Sequence, residues 1–203
     1  IMRILYMGTP DFAVPPLEKL LESNHDICGV VTQPDKPVGR KAILTPPPVK
    51  VVALENNIPV FQPESVRTAD AVEQIKSQNP DVCVVVAYGK ILPLSILNIP
   101  KYGCVNIHAS LLPKYRGAAP IQWAVINGEK ITGVTTFMLQ HEIDTGDILL
   151  QETIEIGKEE VSTDVIENSR EELEAQQLEF QSVEVLSEVD SLAFSLFGRG
   201  HRE

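Results

Sequence analysis

Apolar residues along the chain follow two alternating rhythms. Residues 3–7 form a short apolar run ending at Gly8-Thr9-Pro10, and beyond it Val14, Leu17, Leu20 and Leu21 recur at helical spacing. Residues 27–31 are a second strand-like run. Residues 33–50 read as a loop, because Pro34, Pro37, Pro46, Pro47 and Pro48 interrupt regular structure over most of it. A helix near 49–56, a short strand at 60–61 and a helix over 69–77 come next. Residues 81–86 are the clearest strand, and their unbroken apolar character predicts burial on both faces, as in the middle of a parallel sheet. A strand over 103–107 and a helix over 120–126 continue the alternation. Strands alternating with helices predict an α/β fold, a Rossmann-like, doubly wound and mostly parallel sheet. The rhythm then changes. Residues 132–139 and 148–156 are β-rich and flank Asp144-Thr145-Gly146-Asp147, which predicts an antiparallel C-terminal portion. From 161 onward the pattern is helical, with Leu178, Val185, Val189, Leu192 and Leu196 on one stripe beside an acidic face.

The length of 203 residues favours one domain, or one domain with an appendage, and is enough to bury a core without disulfides or metals. The formal net charge of −11 is unevenly spread. Residues 1–157 carry 13 Lys and Arg against 16 Asp and Glu, whereas residues 158–203 carry 4 against 12. The acidity belongs mainly to the tail, so the total excludes no anionic partner. Cys28, Cys83 and Cys104 lie far apart in apolar runs without metal-ligand or redox spacing, which predicts buried reduced thiols. The opening Ile1-Met2-Arg3-Ile4-Leu5 has no apolar leader region and no stretch is long enough to span a bilayer, so a cytoplasmic location and no membrane partner are expected.

In a parallel sheet, ligands bind beyond the carboxyl ends of the strands. The first such turn, Gly8-Thr9-Pro10-Asp11-Phe12, has no G-x-G-x-x-G pattern, and no P-loop occurs, so neither bound NAD nor a nucleotide phosphate cradle is expected. No cluster of residues suggests a metal, and His25, His141 and His201 are expected to be structural or surface residues. The strand at 103–107 leads into Asn106-Ile107-His108. Side chains alternate along a strand, so Asn106 and His108 share a face. A non-titrating amide donor beside an imidazole suits carbonyl chemistry. A satisfied core histidine is the bland alternative, and Asp144 can be read as a carboxylate for His108 or as an ordinary turn residue.

The run Asn106-Ile107-His108-Ala109-Ser110-Leu111-Leu112-Pro113-Lys114-Tyr115-Arg116-Gly117, followed by Asp144-Thr145-Gly146-Asp147-Ile148, resembles the formyltransferase family that uses 10-formyltetrahydrofolate. The resemblance covers about residues 2–157. It implies that Asn106, His108 and Asp144 form the catalytic trio. It also implies folate contacts from Ser110, Leu111, Leu112 and Pro113 and a pterin-lining loop at Tyr88, Gly89, Lys90, Ile91 and Leu92.

Gly8-Thr9-Pro10-Asp11-Phe12-Ala13 and the proline-rich basic stretch 33–50 resemble the branch of that family acting on methionyl-tRNA. The branch implies initiator methionyl-tRNA as partner in translation initiation of bacterial or organellar type. Lys36, Arg40, Lys41 and Lys50 would contact tRNA and Phe12 would line the aminoacyl pocket, with Lys114 and Arg116 extending the basic surface. No obligate protein partner is evident. The expected organisation is a formyltransferase catalytic domain over 1–157 and an acidic helical segment over 158–203, which leaves no room for the OB-like barrel that follows in the family. Another formyltransferase, a formyltetrahydrofolate hydrolase and a truncated folate-binding domain are the competing readings.

Overall fold

A computed structural model describes residues 1–156. The apolar stripe expected at Leu178, Val185, Val189, Leu192 and Leu196 lies outside the described residues, as does His201.

Strand β1 (Arg3–Gly8) leads through a single 3-10 turn (Asp11–Ala13) into α1 (Val14–Glu22), then β2 (Asp26–Val31). Prolines in the first turn of α1 start it, because their fixed φ suits a helix and their missing N–H is not needed there. A ribbon of β3 (Lys36–Val38) and β4 (Ile43–Thr45) follows, then α2 (Pro48–Glu55), β5 (Val60–Phe61) and α3 (Ala69–Ser77). Thr68 caps α3 by accepting the Ala71 N–H at 3.2 Å. Next come β6 (Val82–Val86), a short α4 (Leu94–Leu97), β7 (Cys104–His108), α5 (Pro120–Ile126), β8 (Ile131–Met138) and β9 (Ile148–Glu155).

Seven strands form one sheet in the order β5-β2-β1-β6-β7-β8-β9. Pairing is parallel from β5 to β7 and antiparallel from β7 through β8 to β9, as the change of rhythm in the sequence predicts. Every residue of β6 is buried, which explains its unbroken apolar run. On one face Tyr6, Val30, Val84 and Val105 pack against Leu17, Leu20, Val49 and Ala53 of α1 and α2. On the other, Leu5, Met7, Val85 and the three cysteines meet Ile75, Ile96 and Leu97. The cysteines are free and buried. Cys83 and Cys104 are register partners, and the neighbouring Cys104 thiol together with burial pushes the Cys83 thiol well above its ordinary pKa.

One local expectation needs correction, and one short helix carries no signal in the sequence. Residues 33–50 are not a plain loop: β3 pairs with β4 and Pro37 stands opposite Leu44. Proline is excluded from central strands, but a two-stranded ribbon needs few of the backbone donors that proline lacks. The helix α4 has only four residues, too short a span for helical periodicity to register.

The ribbon is tied to the body by charge. Lys50 Nζ lies 2.8 and 2.9 Å from the two Asp35 carboxylate oxygens, and the Gln62 amide donates to Asp35 Oδ1 at 2.7 Å and to the Gln33 carbonyl at 3.0 Å. The Lys50 hydrogen bond, seconded by Gln62, holds the Asp35 carboxyl below its ordinary range. With a depressed native pKa, the stabilisation is fully present above the ordinary carboxylate value and is lost as pH falls through the lower native one. Amide exchange of residues 36–45, followed against pH, is therefore expected to stay protected through the ordinary carboxylate range and rise only below it. Asp35→Asn should leave exchange fast and nearly flat across that range; an unchanged profile in this variant would show that the ion pair does not anchor the ribbon.

Candidate active site

The chain winds outward from β1 to β2 and β5, then crosses back to β6, so the winding direction reverses between β1 and β6. Crevices open beyond the carboxyl ends of the strands at such a reversal. The structure has one there, with a volume of about 560 Å³, within the range of small-molecule sites. Phe12 lines it from the turn after β1, residues 87–92 from the loop after β6, and Asn106 and His108 from the end of β7. Residues 117–122 and 139–144 complete the walls.

Asn106 and His108 share a face of β7 because one residue separates them. The His108 side chain is nearly buried, and its two nitrogens face different acceptors. Nε2 lies 2.8 Å from the Tyr115 carbonyl oxygen, which can only accept, so Nε2 carries a proton. Nδ1 lies 3.8 Å from Asp144 Oδ2. Both nitrogens of an imidazolium would therefore meet an oxygen acceptor. The Asp144 carboxylate is itself fixed by the Gly117 N–H, which donates to Oδ2 at 2.7 Å. Asp144 adopts a left-handed backbone with φ of 50°, a conformation that Asp tolerates better than most residues.

Gly146 explains why the Asp-Thr-Gly-Asp turn can close. A Cβ added there would lie 1.4 Å from the Met138 carbonyl oxygen, so no side chain fits between this turn and the end of β8. On the opposite side, Thr135 of β8 donates to the Ser110 carbonyl at 2.6 Å and accepts the Leu112 N–H at 3.1 Å. The Gln151 amide of β9 donates to the Leu112 carbonyl and to Thr135 Oγ1, both at 2.9 Å. The antiparallel strands thus hold the loop that follows His108.

The structure gathers Asn106, His108, Asp144, Phe12 and Tyr88–Leu92 around one cavity. It does not bring Ser110, Leu111, Leu112 or Pro113 to the cavity wall. Ser110 is fully buried and its hydroxyl donates to the Lys114 carbonyl at 2.7 Å; with Leu112 it shapes the loop instead. The Lys50 ammonium is paired with Asp35, and 20% of its side chain is exposed. Lys36, Arg40 and Lys41 stand exposed on the ribbon, away from the cavity. The Lys90 ammonium donates to the Glu64 carbonyl.

Sequence reading missed several supports. Thr9 Oγ1 and Gln33 Nε2 both donate to the Tyr88 carbonyl, at 3.1 and 3.0 Å, tying the 87–92 loop to the ends of β1 and β2. A polar residue within two positions of the end of a mostly apolar strand is the signal that was available for each. The 139–143 side of the cavity, including the exposed His141, has no such signature. Tyr88 buries its hydroxyl without a hydrogen-bond partner, and burial pushes that phenol up to about 12. Among the described residues no group of three or more His, Cys, Asp or Glu is placed to hold a metal. No described helix is long and apolar enough to cross a membrane.

The sequence pattern of the family described as "Formyl transferase" matches residues 2–180. The chain is 59% identical over 161 residues to the "Methionyl-tRNA formyltransferase" of Pelotomaculum thermopropionicum, covering 79% of this chain and 51% of that protein. It is 57% identical over 157 residues to the protein of the same name from Clostridioides difficile, covering 77% and 51%. The chain thus spans about half the length of the curated relatives it matches. Among solved structures, a phosphoribosylglycinamide formyltransferase from Bacillus halodurans superposes with a TM-score of 0.75 at 22% identity, covering 96% of this chain and 99% of that one. A formyltetrahydrofolate deformylase from Pseudomonas syringae pv. tomato gives 0.71 at 21%, covering 94% and 62%. At these identities the structural likeness concerns the fold alone.

Proposed function

This chain belongs to the formyl transferase family, and from that premise we propose that it is the catalytic half of an enzyme moving the formyl group of 10-formyltetrahydrofolate onto the α-amine of methionyl-initiator tRNA. The observation that carries this reading is the convergence of Asn106, His108 and Asp144 on one cavity at the reversal of the sheet. The names of the relatives at 57–59% identity support the tRNA branch. The domain reading follows: residues 1–157 are the catalytic unit and 158–203 an acidic appendage.

The cavity suits a folate. Ile91, Leu92 and Leu139 offer apolar contact for a flat ring, and the backbone of 87–92 and 139–144 offers donors and acceptors for its polar edge. In the reaction, the unprotonated amine attacks the formyl carbon, forming a C–N bond and an oxyanion. The Asn106 amide and the doubly protonated His108 stabilise that oxyanion as it develops. Asp144, held by Gly117, balances the charge on His108 and passes a proton through water to the folate nitrogen as its bond to the formyl carbon breaks. The attacking amine loses its proton in the same exchange. Phe12 lines the cavity where the aminoacyl side chain would sit, and Lys36, Arg40 and Lys41 on the ribbon offer phosphate contacts.

The test is transfer from 10-formyltetrahydrofolate to methionyl-initiator tRNA, with free formate followed in the same assay. Formylated aminoacyl-tRNA is expected; formate without transfer would reassign the chain to folate hydrolysis. His108→Ala and Asn106→Ala should each lower kcat by about a hundredfold or more at an unchanged melting temperature, the usual cost of losing such a donor. Near-normal turnover in either would refute the assignment.

Replacing Lys36, Arg40 and Lys41 together by Ala should weaken tRNA binding and flatten its salt dependence. The slope of log affinity on log salt should drop by about 2 to 3, near 0.7–0.9 per lost phosphate contact. An unchanged slope would exclude the ribbon from tRNA recognition.

A further inference from the structure

The His108 ring is oriented by a backbone carbonyl, and that carbonyl belongs to a residue whose side chain is anchored elsewhere. Tyr115 has a left-handed backbone, with φ of 56°. For a bulky aromatic this conformation is unfavourable and persists only where surrounding contacts impose it. Two such contacts are present. The Tyr115 hydroxyl donates to Glu129 Oε1 at 2.8 Å, and it accepts from Asn127 Nδ2 at 3.1 Å. Lys114 Nζ adds an ion pair to the same Glu129 oxygen at 3.1 Å. Glu129 is in turn placed by the end of α5, where its N–H donates to the Ala124 carbonyl at 3.0 Å, next to the left-handed Gly128. A continuous path of bonds therefore runs from the carboxyl end of α5 through Glu129 and the Tyr115 phenol to the Tyr115 carbonyl and His108 Nε2.

We propose that Tyr115 and Glu129 are positioning residues for the reaction: their side-chain hydrogen bond holds the Tyr115 carbonyl against His108 Nε2, which selects the tautomer protonated on Nε2 and turns Nδ1 toward Asp144. Neither side chain lines the cavity, so neither reaches the reacting atoms placed there. Releasing the phenol lets the strained Tyr115 backbone relax, and the carbonyl then no longer dictates which nitrogen bears the proton. The Tyr115 and Lys114 contacts also hold the Glu129 carboxyl below its ordinary range, so the acceptor stays charged at neutral pH. The role in catalysis rests on the formyl-transfer reading above; the control of the ring does not.

The test uses the whole chain, labelled with 15N, and reads the neutral His108 ring by long-range 1H–15N correlation, with His108→Ala giving the assignment. In its neutral form, before Nδ1 takes up the second proton used in the reaction, the wild-type ring should show a protonated Nε2 and an unprotonated Nδ1. Tyr115→Phe and Glu129→Ala should each shift the ring toward an average of the two tautomers. Glu129→Gln keeps an oxygen acceptor for the phenol and should restore the wild-type pattern. In the transfer assay the first two variants should lose about tenfold or more in kcat with little change in KM for the folate donor, as expected when a reacting group is misplaced. A purely structural role would lower the melting temperature and leave the tautomer balance alone. The inference is overturned if the wild-type ring is protonated on Nδ1, or if both variants fold and keep the wild-type ring signals. Absence of transfer in every protein, wild type included, would count against the functional reading, while the ring signals would still decide this one.

Discussion

The imidazole of His108 lies between two oxygen acceptors from different parts of the chain, the Tyr115 carbonyl at 2.8 Å and the Asp144 carboxylate at 3.8 Å, and each is in place only because a separate loop is closed. The first loop leaves β7, is held from beneath by Thr135 and Gln151, and turns at Tyr115. The second returns from β8 and closes at Gly146, where the Met138 carbonyl leaves no space for a side chain. The Gly117 N–H donated to Asp144 links the two loops. The antiparallel strands β8 and β9 are therefore structural members of the site although they carry none of its proposed catalytic groups. Without them a parallel sheet would still present Asn106 and His108 at its edge, but nothing would fix the ring.

Much of this was legible in the residues, for definite physical reasons. A strand buried on both faces can only be apolar, so β6 reads without ambiguity. The period of two on β7 puts Asn106 and His108 together whatever the rest of the fold does. The exchange of helical for β-rich pattern after residue 131 announces the antiparallel return. What escaped depends on contacts between distant residues. Lys50 looks like one more cation in a basic loop until Asp35 and Gln62 close around it. Ser110 and Leu112 lie within the most distinctive run of the chain, yet their neighbours Thr135 and Gln151 turn them to the service of the loop.

The ribbon and the cavity divide the proposed labour. The cavity is apolar at its sides and polar at its β7 end, which suits a flat ring carrying a reactive carbonyl. The ribbon presents Lys36, Arg40 and Lys41 beside exposed Val38, Ile43 and Leu44, so it offers both charge and apolar contact to the proposed RNA partner. Asp35, Lys50 and Gln62 anchor it at its base, which leaves Arg40 and Lys41 at its tip available to a partner. The acidic stretch 158–203 adds charge of the wrong sign for RNA, and the relatives are about twice as long as the match. The catalytic proposal is argued from the described residues 1–156, and the family match continues to residue 180.

Titration of the 15N-labelled chain with 10-formyltetrahydrofolate, followed through its backbone amides, tests the central claim most directly. The account predicts saturable shifts concentrated in residues 87–92, 106–108, 117–122 and 139–144, the walls of the one cavity that holds His108 and Asp144. Shifts gathered instead at the opposite end of the sheet, in the groove around Arg3, His25 and Asn56, or no saturable shifts at all, would contradict it.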